Sequence, residues 1–257
     1  QVEVLSPADI NTDKFRNWYN RSKLVDENGN PIPVYHRSKN QFEEFDYSKI
    51  KTHFNGYGFY FDTRESGSKA WGDIVYESYV NLENPLIRDA SDYNSKDYVN
   101  LTVSEVQNYL YALDDIDDNQ ILLSTLRNHI IENSKYEDVK YTIESLDVRT
   151  IAEYLVNNAS KDTDIIDDII DAFGKDIKTA LETLRDVTGY DGYIVKYGPD
   201  TWEVVAWFPE QIKSVYNRGT WDPANPNILY QSLNERIKGE VLSPADINTD
   251  KFRNWFG

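Results

Sequence analysis

The sequence predicts an α+β fold in which two strand-rich halves flank an acidic helical block. Three observations lead there. β-prone, aromatic-rich runs separated by turn residues recur between Lys23 and Leu82 and return from Gly189 to Phe208. Between them, Thr102 to Thr188 carries apolar residues at spacings of three and four, the helical period. That middle block holds 19 Asp and Glu against 8 Lys and Arg, so it carries most of the chain's net charge of −17.

Taken in order, Asn11-Thr12-Asp13 offers caps for a first helix over Lys14-Phe15-Arg16-Asn17-Trp18. Asn28-Gly29 between β-prone runs predicts a hairpin whose second strand is Val34-Tyr35-His36. Phe42 to His53 reads as loop and short helix. Gly58 to Asp62 reads as a strand, entered through glycines that let the backbone bend or be approached closely. A helix is expected to begin at Ser66 to Trp71, capped by Ser66 or Thr63, and a strand to run within Asp73 to Leu82. Thr102-Val103-Ser104-Glu105 is a capping box opening an amphipathic run to Leu113. Further helical runs are Ile121 to Ile131, Val148 to Val156 and Ile165 to Leu184. Strands resume at Gly189 to Val195 and Trp202 to Phe208, and Pro209 to Ser214 ends that hairpin. The Pro- and Asn-rich tail from Asn217 to Tyr230 is expected to lie extended on the surface.

Composition narrows the function. At 257 residues the chain is ample for a buried core. A net charge of −17 with no basic run argues against nucleic-acid binding. Zero cysteines exclude disulfides and thiolate metal sites. No apolar run is long enough to predict a membrane span, and no signal-peptide pattern opens the chain. The acidic block reads as a solvated helical face, with a docking surface for a basic partner as the alternative. With no Met and a start at Gln1, the chain is expected to be a piece of something longer. Glu3 to Trp18 returns unchanged as Glu240 to Trp255. Its core-type aromatics favour a tandem array, in which Glu240 opens the next copy, over a duplicated linker.

The candidate site residues are His36, Tyr60 and Glu203, each on a separate expected strand. Glu203 alternates with Trp202 and Val204 and so points opposite to both. Each also has a plain structural reading: a hydrogen-bonded strand-end His, a core Tyr, a solvated Glu. Glu210, in the turn with Gln211, ranks second as the acid. His53 and His129 read as surface residues, and no metal-spaced cluster appears.

Tyr35-His36-Arg37-Ser38, Gly58-Phe59-Tyr60-Phe61 and Glu203-Val204-Val205-Ala206-Trp207 resemble the His-Tyr-Glu motifs of ADP-ribosyltransferases of the diphtheria-toxin and poly(ADP-ribose) polymerase type. The closer likeness is to the ADP-ribosyltransferase module of phage and mobile-element polyvalent proteins. It is carried by Phe15-Arg16-Asn17-Trp18, Ser22-Lys23-Leu24-Val25-Asp26-Glu27-Asn28-Gly29, Gln211-Ile212-Lys213-Ser214 and Asn217-Arg218-Gly219-Thr220-Trp221-Asp222. It covers about residues 15–85 and 185–231, not the helical block.

The resemblance implies a split antiparallel β-sandwich with the acidic helices inserted. It divides the chain into an inter-module segment 1–14, an N-terminal half 15–101, an insertion 102–188, a C-terminal half 189–231, and a linker with the start of a next copy, 232–257. It implies a mono-ADP-ribosyltransferase that cleaves NAD, as substrate and without a metal, and modifies a host protein. The expected setting is the cytoplasm of a bacterial host, with virion delivery as one route and no membrane or nucleic-acid partner. By resemblance, His36 bonds the adenosine-side ribose and the following Arg37 and Ser38 hold the nicotinamide amide. Tyr60 stacks on nicotinamide, Ser68 bonds the carboxamide, Trp71 is a second stacking aromatic, and Glu203 holds the nicotinamide-ribose 2′-hydroxyl. Arg37 replaces a Gly common among relatives. Thr201, two residues before Glu203, disfavours arginine as acceptor. Two other readings are an NAD glycohydrolase and a degenerate binding or structural module.

Overall fold

The computed structural model describes residues 7–50, 52–67, 71–91, 99–116, 121–133, 147–174, 176–217 and 221–229. Helix α1 (Asp13–Tyr19) comes first, with the Thr12 hydroxyl accepting from the Phe15 amide as its cap. Strands β1 (Val34–Ser38), β2 (Phe59–Asp62), β3 (Ile74–Val80) and β4 (Leu86–Asp89) follow. Next come helices α2 (Val103–Asp114), α3 (Ile121–Asn133), α4 (Val148–Asn158), α5 (Asp162–Ala172) and α6 (Ile177–Thr188). Strands β5 (Gly192–Gly198), β6 (Thr201–Ala206) and β7 (Ile212–Ser214) complete the set.

The strands form one seven-stranded sheet in the order β4-β5-β6-β2-β1-β3-β7. Every ladder is antiparallel except β4–β5. The sheet is nearly parted at its middle. β2 faces β6 over its full length and β1 faces β3 over its full length, yet β1 and β2 meet at one pair, Tyr35 opposite Asp62. The result is the split, mostly antiparallel α+β architecture expected.

The helices pack on one another and share one core with the sheet. α2 packs on α4 and α6, and α3 on α5. The expected capping box is present: Thr102 and Glu105 bond reciprocally. The buried Asp162 carboxylate accepts from the Asn100 and Leu101 amides at 2.7 and 2.8 Å, tying the start of α5 to the entry of α2. The 165–184 run is two helices, because Gly174 turns left-handed (φ 86°) and Asp176 caps a new start. No helix among the described residues is long and apolar enough to cross a membrane.

Three local expectations are corrected. Asn28-Gly29 does turn the chain, and Asp26 accepts from the Asn28 and Asn30 amides at 2.8 Å. The turn closes only a single bridge, Val25 to Pro31, because Pro31 and Pro33 remove the donors a hairpin ladder needs. β1 pairs with β3 and β2 instead. In place of the helix expected from Ser66, residues 65–67 form a turn, in which Asp62 captures the Arg64 amide and Gly67 bonds back to Arg64, and Trp71 lies in a 3-10 turn. Residues 68–70 lie outside the described set.

The third correction is the tail. Trp221 and Ile228 are buried. Ile228 bonds the backbone of Ser214 and Glu43, and Trp221 stacks on Trp18 at 5.5 Å and meets Phe15 edge-on at 4.8 Å. The apolar payload of two Trp rings outweighs the local preference of the Pro- and Asn-rich sequence for an exposed path. The second copy of the repeated segment, Glu240 to Trp255, lies outside the described residues; in the first copy Phe15 and Trp18 are core. Trp221→Ala is expected to cost about 3–5 kcal/mol, the usual range for emptying a buried large aromatic site. Urea unfolding monitored by far-UV circular dichroism would measure it.

Candidate active site

Gly58 sets the site up. Its backbone is strained for any other residue (φ 154°), and a Cβ there would lie 2.3 Å from Val205 Cγ1. β2 can therefore lie flush against β6. Facing residues of an antiparallel ladder put their side chains on one face. Asp62 faces Glu203 and Tyr60 faces Val205, so Tyr60, Asp62 and Glu203 share a face of the sheet.

Each polar tip on that face is held. The Tyr60 hydroxyl donates to Gly56 O at 2.5 Å. Burial, then the charges of Glu203 and Asp167, push its pKa up, so the phenol stays protonated. Glu203 Oε1 accepts from Asn55 Nδ2 at 2.5 Å, and that nitrogen also donates to Tyr197 Oη at 3.1 Å. Burial raises the Glu203 pKa; the Asn55 bond opposes it, Asp62 adds to it and Lys161 opposes it.

His36 lies on the neighbouring strand β1, with its ring on the opposite side of β2 from Tyr60 and Glu203, and it meets Tyr60 only at the backbone. Alternation along β2 sends Phe59 and Phe61 into the core, and the His36 ring lies on their side, against Phe45 at 5.1 Å and Phe61 at 5.6 Å. Its link to Tyr60 is a bond from Nδ1 to Tyr60 O at 2.8 Å. A carbonyl only accepts, so Nδ1 carries the hydrogen. Burial lowers the His36 pKa and keeps the ring neutral. Nε2 then presents a lone pair, fit to accept from a hydroxyl.

The other expected residues are placed as follows. Arg37 donates to Glu65 O at 2.8 Å and Gly72 O at 3.4 Å, so it straps β1 to the connection after β2. Ser38 ends β1, its hydroxyl accepting from the Asn40 amide. Trp71 is exposed at the rim, and Ser68 lies outside the described residues. Glu210 pairs with Arg185 of α6 at 3.7 Å, in the turn beyond the end of β6. His129 faces Asp168 of α5 at 3.7 Å. His53 is not a bystander: its ring meets Tyr60 at 5.0 Å and Trp71 at 4.8 Å, joining the two aromatics. Among the described residues no cluster of His, Asp or Glu is arranged to hold a metal ion.

Sequence reasoning missed what the helical block brings. Residues 53–57 are gripped by α5 and its cap. Lys161 Nζ donates to Phe54 O and lies 4.0 Å over the Phe54 ring. Thr163 fills the space over Gly56, where a Cβ would come within 2.9 Å. Asp167 Oδ1 accepts from the Tyr57 amide at 3.3 Å, and Asp171 Oδ1 from the Tyr57 hydroxyl at 2.6 Å. The one available signal was that Asp164, Asp167 and Asp171 recur at spacings of three and four, on one face of the helix.

Asp167 gives a testable sign. Burial, against the Tyr57 amide and Lys161, pushes its pKa up to about 7 from an ordinary 3.8. Because the folded value is raised, its contribution to stability is full below the ordinary value and is lost as pH rises through about 7. Asp167→Asn keeps an acceptor for the Tyr57 amide and removes the charge. It is expected to raise the melting temperature by a few degrees at pH 8 and to leave it unchanged near pH 4, measured by scanning calorimetry.

Searches of the curated proteins and of the solved structures return no match. The model of a family described as ADP-ribosyltransferase in polyvalent proteins matches residues 26–221, a span that runs from the first turn through the helical block to the buried Trp221. The chain belongs to this ADP-ribosyltransferase family.

Proposed function

We propose that this chain is a mono-ADP-ribosyltransferase that breaks the nicotinamide–ribose bond of NAD and moves ADP-ribose to a protein of a bacterial host. Family membership supports ADP-ribosyl transfer in general. The observation that carries the finer reading is the carboxylate of Glu203, bonded by Asn55 on the face it shares with Tyr60.

The chemistry follows from charge. When the bond between ribose C1′ and the nicotinamide nitrogen breaks, its electron pair leaves with nicotinamide and the sugar becomes an oxocarbenium-like cation. A fixed carboxylate beside that ribose stabilises the cation without reorganising. The acceptor's nucleophilic atom then adds at C1′ and sheds its proton to solvent or a nearby base. Tyr60 offers a flat ring for the leaving group, held by its own hydroxyl on Gly56 O. Neutral His36 offers Nε2 to a ribose hydroxyl. Arg37 and Ser38 follow it along the strand edge, and Trp71 with His53 forms an aromatic rim that can cover nicotinamide. NAD is the substrate and the reaction calls for no metal.

The test pairs the wild type with Glu203→Gln. Each is incubated with NAD and a bacterial lysate, and nicotinamide and protein-bound ADP-ribose are read by mass spectrometry. The expected result is adducts that vanish with Glu203→Gln, with nicotinamide release down on the order of 10²–10³-fold. Free ADP-ribose without adducts would make the chain a glycohydrolase. No nicotinamide with either protein would overturn the enzyme reading. Since Glu203 works ionised and burial raises its pKa, the rate is expected to fall on acidification at a pH above the usual carboxylate range.

A further inference from the structure

The turn that carries Asn55 is built to aim one side chain. His53 and Gly56 exchange backbone hydrogen bonds, leaving Phe54 and Asn55 at the tip. The two tip residues part company: Phe54 is 73% exposed and Asn55 1%. The backbone on either side is pinned by other elements, through Lys161 on Phe54 O, Asp167 and Asp171 on Tyr57, and the Tyr60 hydroxyl on Gly56 O.

We propose that Asn55 is a positioning residue for Glu203: its amide nitrogen fixes the carboxylate beside Tyr60 and favours the charged form. This rests on the reading of Glu203 as the working acid. Asn55 Nδ2 is spent on Glu203 Oε1 and Tyr197 Oη. Its Oδ1 is buried and has no hydrogen-bond partner. An unpaired buried acceptor is costly, and an amide kept only for packing would be oriented to satisfy it. The observed orientation is the one an ionised carboxylate requires, because such a carboxylate only accepts. The groups facing Glu203 are Asp62 and Tyr60 from β2, Lys161 at the start of α5, and Tyr197 of β5 through Asn55. Lys161 is the one cation among them, and it is also engaged with Phe54 O and Asp164. Asn55 is therefore the group that bonds the carboxylate directly.

The test is a titration that does not depend on turnover. The Glu203 carboxyl carbon is followed by NMR in protein labelled at Glu, with the signal assigned by its loss in Glu203→Gln. Asn55→Ala removes the donor; Asn55→Asp keeps the shape and sets a second acid against Glu203. The midpoint is expected to rise in the order wild type, Asn55→Ala, Asn55→Asp. Midpoints that stay put or fall overturn the proposal, whether or not NAD is cleaved. In parallel, kcat for nicotinamide release is expected to drop on the order of 10–100-fold, by analogy with the loss of hydrogen-bond partners behind metal ligands. KM for NAD is expected to hold within about twofold, and the acid limb to move up with the midpoint. A merely structural Asn55 would lower melting temperature without moving that limb. If midpoints shift but the wild type releases no nicotinamide, the enzyme reading fails and the positioning role stands. If the wild type works, Glu203→Gln does not, and the Asn55 variants match wild type in midpoint and kcat, the positioning role alone fails.

Discussion

Close approach of β2 to β6 is the constraint on which this site depends. Without a side chain at position 58, Phe59 can face Ala206 and Asp62 can face Glu203. That register puts a carboxylate and a phenol on one face while Phe59 and Phe61 fill the core behind them. A one-residue slip would send Glu203 into the core and Val204 out. The Glu203 carboxylate guards against it, because a charge taken in among Phe59 and Phe61 is costly to bury.

Burial is the second ingredient. Tyr60, His36, Glu203 and Asp167 all carry pKa values displaced toward their neutral forms, with desolvation as the leading cause in each case. Such a site weakens solvent screening and strengthens whatever charge remains. The few hydrogen bonds that favour ionisation, above all that from Asn55, then decide which acid keeps its charge.

Much of this was legible beforehand, and for identifiable reasons. Periodicity found the helices, and cap chemistry found Thr12 and Thr102, because both signals are local. The three strands carrying His36, Tyr60 and Glu203 were legible from aromatic and β-branched runs and from resemblance. The pairing of β1 with β3 was not, since two prolines silently forbid the hairpin that Asn28-Gly29 advertises. The buried tail was missed because what holds it is Trp18 and Phe15, some two hundred residues earlier in the chain. Asn55, Lys161 and Asp167 were missed for the same reason. A polar residue in a loop and one on a helix give no sign in sequence that they meet the same neighbour, and His53 looked solitary until Tyr60 and Trp71 closed around it.

The grip of α5 on residues 53–57 has a consequence for how such a chain can change over generations. Lys161, Thr163, Asp167 and Asp171 each contact Phe54, Gly56 or Tyr57, residues more than a hundred positions earlier. The helical block is therefore not a cassette that can be traded between relatives with the strands left as they were. A replacement at Tyr57 removes the hydroxyl that donates to Asp171, and a bulkier residue at Gly56 requires Thr163 to shrink. The two stretches must be inherited as a matched set.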